Sequence, residues 1–185
     1  MKFFRKNLYT LLFIIFFGLL LFPPTGVPIK AFVHKLLMFS PGVLDEEERV
    51  LLTDYDWTLI AVEGGSKNFS VSRNRVSIVN LWATWCPPCV AELPALQRLY
   101  DSYGDRVDFY FVSAEDQATV QRFLQKKGFE LPAYLEVERP PAEMQVSTIP
   151  TTFLIDKDGT ILIQKTGAAQ WDSEKVRSLL DSLLQ

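Results

Sequence analysis

Cys86 and Cys89 are the only cysteines among 185 residues, and Pro87-Pro88 is all that separates them. Two thiols at this spacing can close a small disulfide loop, or one can attack a foreign disulfide while the other resolves the mixed disulfide. Two plainer roles compete for the same pair. A structural disulfide across so short a loop would constrain little of the unfolded chain, because the benefit grows with loop length. A zinc site needs about four ligands, yet the one histidine, His34, lies far upstream and there is no second cysteine pair. Redox exchange makes the fullest use of the pair.

The flanking residues position the thiols for it. Val76 to Trp82 is a β-branched and apolar run of strand length, and Val90, Leu93, Leu96, Leu99 and Tyr103 then recur at helical spacing. The pair therefore falls between a strand and a helix, with Cys86 near the N-cap and Cys89 in the first turn. Pro87 and Pro88 occupy positions whose missing amides the helix does not need. Unpaired backbone N–H groups and the positive end of the helix dipole favour a thiolate at Cys86, which makes it the attacker and Cys89 the resolver.

The segment Trp82-Ala83-Thr84-Trp85-Cys86-Pro87-Pro88-Cys89 resembles the active-site segment of the thioredoxin superfamily, in particular the membrane-anchored TlpA/ResA-type thiol-disulfide oxidoreductases. The likeness runs from about Trp57 to the C-terminus. Trp57 to Val62 and Asn68 to Val71, around Gly64-Gly65-Ser66, read as a hairpin. The active-site helix carries Pro94, where the thioredoxin pattern also has a proline, and ends near Gly104. Val107 to Val112 reads as a strand, Gln117 to Lys127 as a helix and Leu131 to Val137 as a short strand. That helix and strand resemble the insertion that marks TlpA/ResA-type proteins. A hairpin about Asp156-Lys157-Asp158-Gly159 and a helix capped by Asp172 or Ser173 close the domain. The fold expected is α/β and thioredoxin-like: a central mixed sheet with helices on both faces, an N-terminal hairpin and an inserted helix-strand.

The resemblance also implies site residues. Pro150, in Ile149-Pro150-Thr151, matches the cis-proline that packs beside the cysteines, and Ile149 the residue that offers its backbone to the substrate polypeptide; Trp85 would frame the same chain. Cytosolic thioredoxins carry a buried aspartate where this sequence has Asn80, and an amide cannot take a proton from the resolving thiol. Glu92 lies three residues after Cys89 on the same helix face and matches the glutamate that follows the pair in ResA-type reductases. A partly desolvated Glu92 would have a raised pKa and relay the proton of Cys89; a solvated first-turn glutamate favourable to the dipole is the plainer reading.

The N-terminus points to export. Lys2, Arg5 and Lys6 precede Leu8 to Phe22, a run without charge closed by Pro23-Pro24. Counted from Phe3 it just reaches spanning length, and no small-x-small cleavage site follows, so residues 1–24 read as a signal anchor and single transmembrane helix rather than a cleaved signal. Residues 25–50 form a juxtamembrane segment and linker in which Ile29, Phe32, Val33, Leu36 and Leu37 suit an amphipathic helix, on the membrane or against the domain. The thioredoxin-like domain is placed at 51–185. Beyond residue 39 the chain has fourteen bases and twenty-two acids, so it has no electrostatic footprint for nucleic acid.

The expected function is reduction of disulfides in exported proteins, in the cell envelope, by a Cys86/Cys89 dithiol needing no cofactor or metal. The family resemblance implies a membrane electron donor of DsbD/CcdA type, with cytochrome c maturation as one family role. Four alternatives stand beside it. A DsbA-type oxidase or isomerase is chemically close but has a large helical insertion absent here. A Sco-type copper module would want a histidine after the cysteines. A peroxiredoxin would want Thr-x-x-Cys, whereas Thr84 is two residues before Cys86. In a partner-binding module of this fold, redox would be incidental.

Overall fold

Three strands, β4 (Ser77–Leu81), β5 (Asp108–Ser113) and β7 (Thr151–Ile155), are buried almost throughout, as strands covered on both faces must be. They form the centre of the computed structural model, which describes residues 39–185 together with Thr10, Leu11 and Phe13. The chain divides into Met1–Met38 and Phe39–Gln185, and the second unit carries the fold. The expected anchor over residues 1–24 and the amphipathic helix of residues 29–37 lie outside the described residues but for those three positions. Among the described residues no helix is long and apolar enough to cross a membrane.

The sheet has eight strands in the order β1-β8-β7-β4-β5-β6-β2-β3. The others are β1 (Val50–Leu51), β2 (Thr58–Ala61), β3 (Ser66–Asn68), β6 (Ala133–Glu136) and β8 (Thr160–Thr166). Pairing is parallel for β4·β5 and β5·β6 and antiparallel elsewhere. The helices are α1 (Pro87–Tyr103), α2 (Gln117–Lys127) and α3 (Glu174–Leu183).

Period-two alternation sorts the core into two layers. Ile78, Phe109, Phe111 and Leu154 face a cluster that contains the buried apolar residues of all three helices, among them Leu93, Leu96, Val120 and Leu180. Val79, Leu81, Tyr110, Val112, Phe153 and Ile155 face a second cluster closed by Leu52, Tyr55, Trp57, Phe69 and Met144. The expectation of helices on both faces is thus corrected: all three α-helices lie on one face. The other is covered by an extended N-terminal segment and the 3-10 turns Phe69–Ser72 and Ala142–Met144. The connections there are too short or too proline-rich for a helix; Pro140-Pro141 leads directly into the second turn.

Two boundaries also move. The hairpin's second strand ends at Asn68, because the Asn68 side chain accepts from Ser70 N and caps the 3-10 turn that follows. The domain expected to begin at residue 51 begins at Phe39: Leu44 N donates to Leu162 O, Gln170 N to Phe39 O, and Val50–Leu51 pair with β8 at the sheet edge. Acidic Glu46–Glu48 form a single 3-10 turn on the way.

Gly159 fastens this N-terminal segment to the β7–β8 hairpin. Its carbonyl accepts from Leu52 N at 2.9 Å. Its φ is +92°, and a Cβ there would stand 2.7 Å from the Tyr55 hydroxyl oxygen and 3.2 Å from the Leu52 carbonyl oxygen. Gly159→Ala is therefore expected to cost about 1–3 kcal/mol of stability, seen as a lower urea midpoint at unchanged slope.

Candidate active site

The end of β4 delivers the two cysteines. After Leu81 the chain leaves the sheet, and Thr84 is pinned by a carboxylate: its N and Oγ1 donate to Glu115 at 2.6 and 2.7 Å, while Ser113 Oγ also donates to Glu115 at 3.2 Å. Cys86 is the N-cap of α1, with Pro87 and Pro88 opening the helix. Its Sγ accepts from Cys89 N at 3.3 Å, so a helix-terminal amide points at the sulfur that would carry the thiolate charge.

Cys86 and Cys89 are joined in a disulfide with Cα atoms 5.3 Å apart. Both are buried, Cys89 completely and Cys86 to within 4% exposure. Trp85 beside them is 71% exposed, an unusual cost for so large an apolar surface. The Ile149–Pro150 peptide bond is cis, and the Ile149 carbonyl oxygen lies 3.9 Å from Cys86 Sγ. Trp85 and Ile149 line a groove of about 400 Å³ whose other walls include Trp82, Glu115, Glu136 and Arg139. Burial pushes the Glu136 carboxyl above its ordinary value.

Glu92 sits on the buried face of α1, with no exposure at all. Its Oε1 accepts from Asn80 Nδ2 at 2.9 Å, and its Oε2 accepts from Ala169 N at 3.1 Å and Trp171 Nε1 at 3.2 Å. Burial raises its pKa to about 7; the three hydrogen bonds and the charge of Lys165 pull the other way. A solvated first-turn glutamate is therefore excluded. Neither cysteine is among its hydrogen-bond partners.

Sequence reasoning named the cysteines, Glu92, Trp85, Ile149 and Pro150; the structure sets the Ile149 carbonyl beside Cys86, just ahead of the cis bond to Pro150, and puts Ile149 and Trp85 on one groove. It missed the donors that hold Glu92. Trp171 and Ala169 lie on the loop after β8, nearly eighty positions away, and nothing local marks them. That loop is fastened by Asp172, which accepts from Arg98 of α1 and from Arg177 of α3, each at 2.6 Å. Glu115 was missed for the same reason. Ser173, one of the two candidates, caps α3 by accepting from Val176 N.

A family model described as the AhpC/TSA family matches residues 53–163. The chain is 30% identical over 139 residues to sporulation thiol-disulfide oxidoreductase A of Bacillus subtilis, a match covering 71% of this chain and 83% of that one. It is 30% identical over 131 residues to the thiol-disulfide oxidoreductase ResA of Geobacillus thermodenitrificans, covering 69% and 74%. Among solved structures, a thiol:disulfide interchange protein of the thioredoxin family from Chlorobium tepidum superposes with a TM-score of 0.56 at 19% identity, covering 80% of this chain and 97% of that one. That last likeness is one of fold.

Proposed function

Because the chain belongs to the AhpC/TSA family, with relatives named thiol-disulfide oxidoreductases, we propose that it reduces disulfides of exported proteins on the outer side of a membrane. It is a thiol-disulfide oxidoreductase with a Cys-X-X-Cys pair. The observation that carries the reading is the Cys86–Cys89 disulfide at the N-terminus of α1, with an amide aimed at Cys86 Sγ.

In the reduced protein the Cys86 thiolate attacks one sulfur of the client disulfide. A Cys86–client disulfide forms and the other client sulfur leaves as a thiolate. Cys89 then passes its proton to Glu92 and attacks Cys86 Sγ, closing the Cys86–Cys89 disulfide and expelling the second client thiolate, which regains a proton. Two electrons have moved from the enzyme dithiol to the client. Trp85, Ile149 and Pro150 frame the client chain in the adjoining groove.

Restoring the dithiol needs two electrons from inside, since the space outside the membrane is oxidising; a membrane donor of DsbD/CcdA type would supply them. Residues 1–24 would anchor the enzyme beside that donor, in the envelope, and apocytochrome c is one class of client that fits. The test is the equilibrium reduction potential of the full chain against glutathione, read by trapping free thiols. A value of roughly −180 mV or lower is expected. A value near −120 mV, that of a strong oxidant, would turn the assignment to disulfide formation.

A further inference from the structure

Glu92 is held by three partners, and in this arrangement every one of them donates. Ala169 N–H and Trp171 Nε1–H have no other capacity. Asn80 could in principle turn its amide either way, and what surrounds it decides which. Its Nδ2 donates to Glu92 Oε1 at 2.9 Å and to Thr152 Oγ1 at 2.7 Å, while its Oδ1 is buried without a partner. Reversing the amide would leave both N–H groups facing the place where Oδ1 finds nothing. An orphaned N–H is the costlier defect in a dry interior, and here there would be two in place of one carbonyl. The register β4·β7, which sets Asn80 opposite Thr152, thus commits Asn80 to donate.

We infer that Asn80, anchored by Thr152, is a positioning residue that favours the ionised form of Glu92 in the oxidised protein. A protonated Glu92 would find no acceptor among its three partners. The proton it takes from Cys89 is therefore in transit and is driven onward to the departing client thiolate. The groups that act on Glu92 are Asn80 on β4, Lys165 on β8, and Ala169 and Trp171 on the following loop, with Thr152 on β7 behind Asn80. Lys165 is the charged member and favours the same state. On α1 itself Cys89 is tied in the disulfide and does not titrate. An aspartate at position 80 would do the reverse, setting a second carboxylate against Glu92 Oε1.

The inference rests on the proposed relay for its meaning, but its test does not. In the oxidised full-length chain neither cysteine ionises, so the carboxyl carbon-13 shift of Glu92 followed against pH reports that group alone. Asn80→Leu removes the donor and is expected to raise the Glu92 inflection by about one pH unit, the order of a lost hydrogen bond to a charged group. Asn80→Asp should raise it further. Thr152→Val, which keeps the amide but frees it to turn, should raise it less and serves if the Asn80 variants fail to fold. An inflection that stays put or falls in the folded variants overturns the inference. If instead the inflection moves but the rate of disulfide exchange in the wild type ignores it, the relay fails and the role of Asn80 stands.

Discussion

Cys86→Ser is expected to abolish disulfide exchange, a loss on the order of a thousandfold or more, down to the uncatalysed background. A serine hydroxyl in the same place remains protonated at neutral pH and forms no bond to sulfur of use in exchange. The amide of Cys89 and the helix dipole, which stabilise a thiolate at this N-cap, cannot make a hydroxyl into a comparable nucleophile. Cys89→Ser should behave differently. The first attack survives, the resolving thiol is gone, and a Cys86–client mixed disulfide accumulates that can be captured on a non-reducing gel. That species also identifies clients. If Cys86→Ser retained full activity in exchange, the disulfide would be a structural ornament and the partner-binding alternative would take its place.

The oxidised protein is expected to lose stability as the pH rises from about 4.5 to about 7, by up to about 3 kcal/mol from Glu92 alone. Glu92 titrates near its ordinary value of 4.5 when unfolded and near 7 when folded. Between those values the native state holds a proton that the unfolded state has released. Unfolding there releases protons, so raising the pH favours it. The contribution is fully present below the unfolded value, is lost as pH passes through the folded one, and is constant above. Glu92→Gln should flatten this slope in chemical denaturation at pH 5 and pH 8. The glutamine introduced by that substitution can keep its carbonyl toward Ala169 and Trp171, while its NH₂ meets the Asn80 donor without an acceptor, a cost to stability that does not vary with pH. A slope in the variant equal to that of the wild type would mean that other groups carry the pH dependence. The same substitution should remove the inflection near neutrality from the second exchange step, in which Cys89 is deprotonated.

The two results bear on one another through burial. Desolvation raises the proton affinity of Glu92, while Asn80, Ala169 and Trp171 restrain that rise with three donated hydrogen bonds. The outcome sits near neutrality, where a relay is most effective. A glutamate with the burial and without the donors would hold its proton too tightly to pass it on. One with the donors in solvent would never take it.

Much of the site was legible because its signals are local. Two cysteines with two residues between them, an apolar run before and a helical periodicity after, need only adjacent residues to be read. So does Glu92, one helical turn beyond Cys89. The matching Ile149-Pro150-Thr151 pattern marked the other wall of the site. Strand and helix order was legible too, because alternation, helical spacing and a capping residue such as Ser173 act within a few positions.

Tertiary structure alone decided what surrounds these residues. That all three helices share one face follows from how connections cross the sheet, which periodicity within a helix does not encode. That Phe39 to Leu51 belongs to the domain depends on an edge of β8 more than a hundred positions away, since a short polar and acidic stretch has no periodicity of its own. The partners of Glu92 come from β4 and from the loop beyond β8, brought together by register and by the Asp172 clamp. Which atoms can exchange electrons was readable along the chain, because that depends on element type and spacing. The folded chain decided how readily Glu92 gains and loses its proton, because desolvation and hydrogen bonding are properties of neighbours in space.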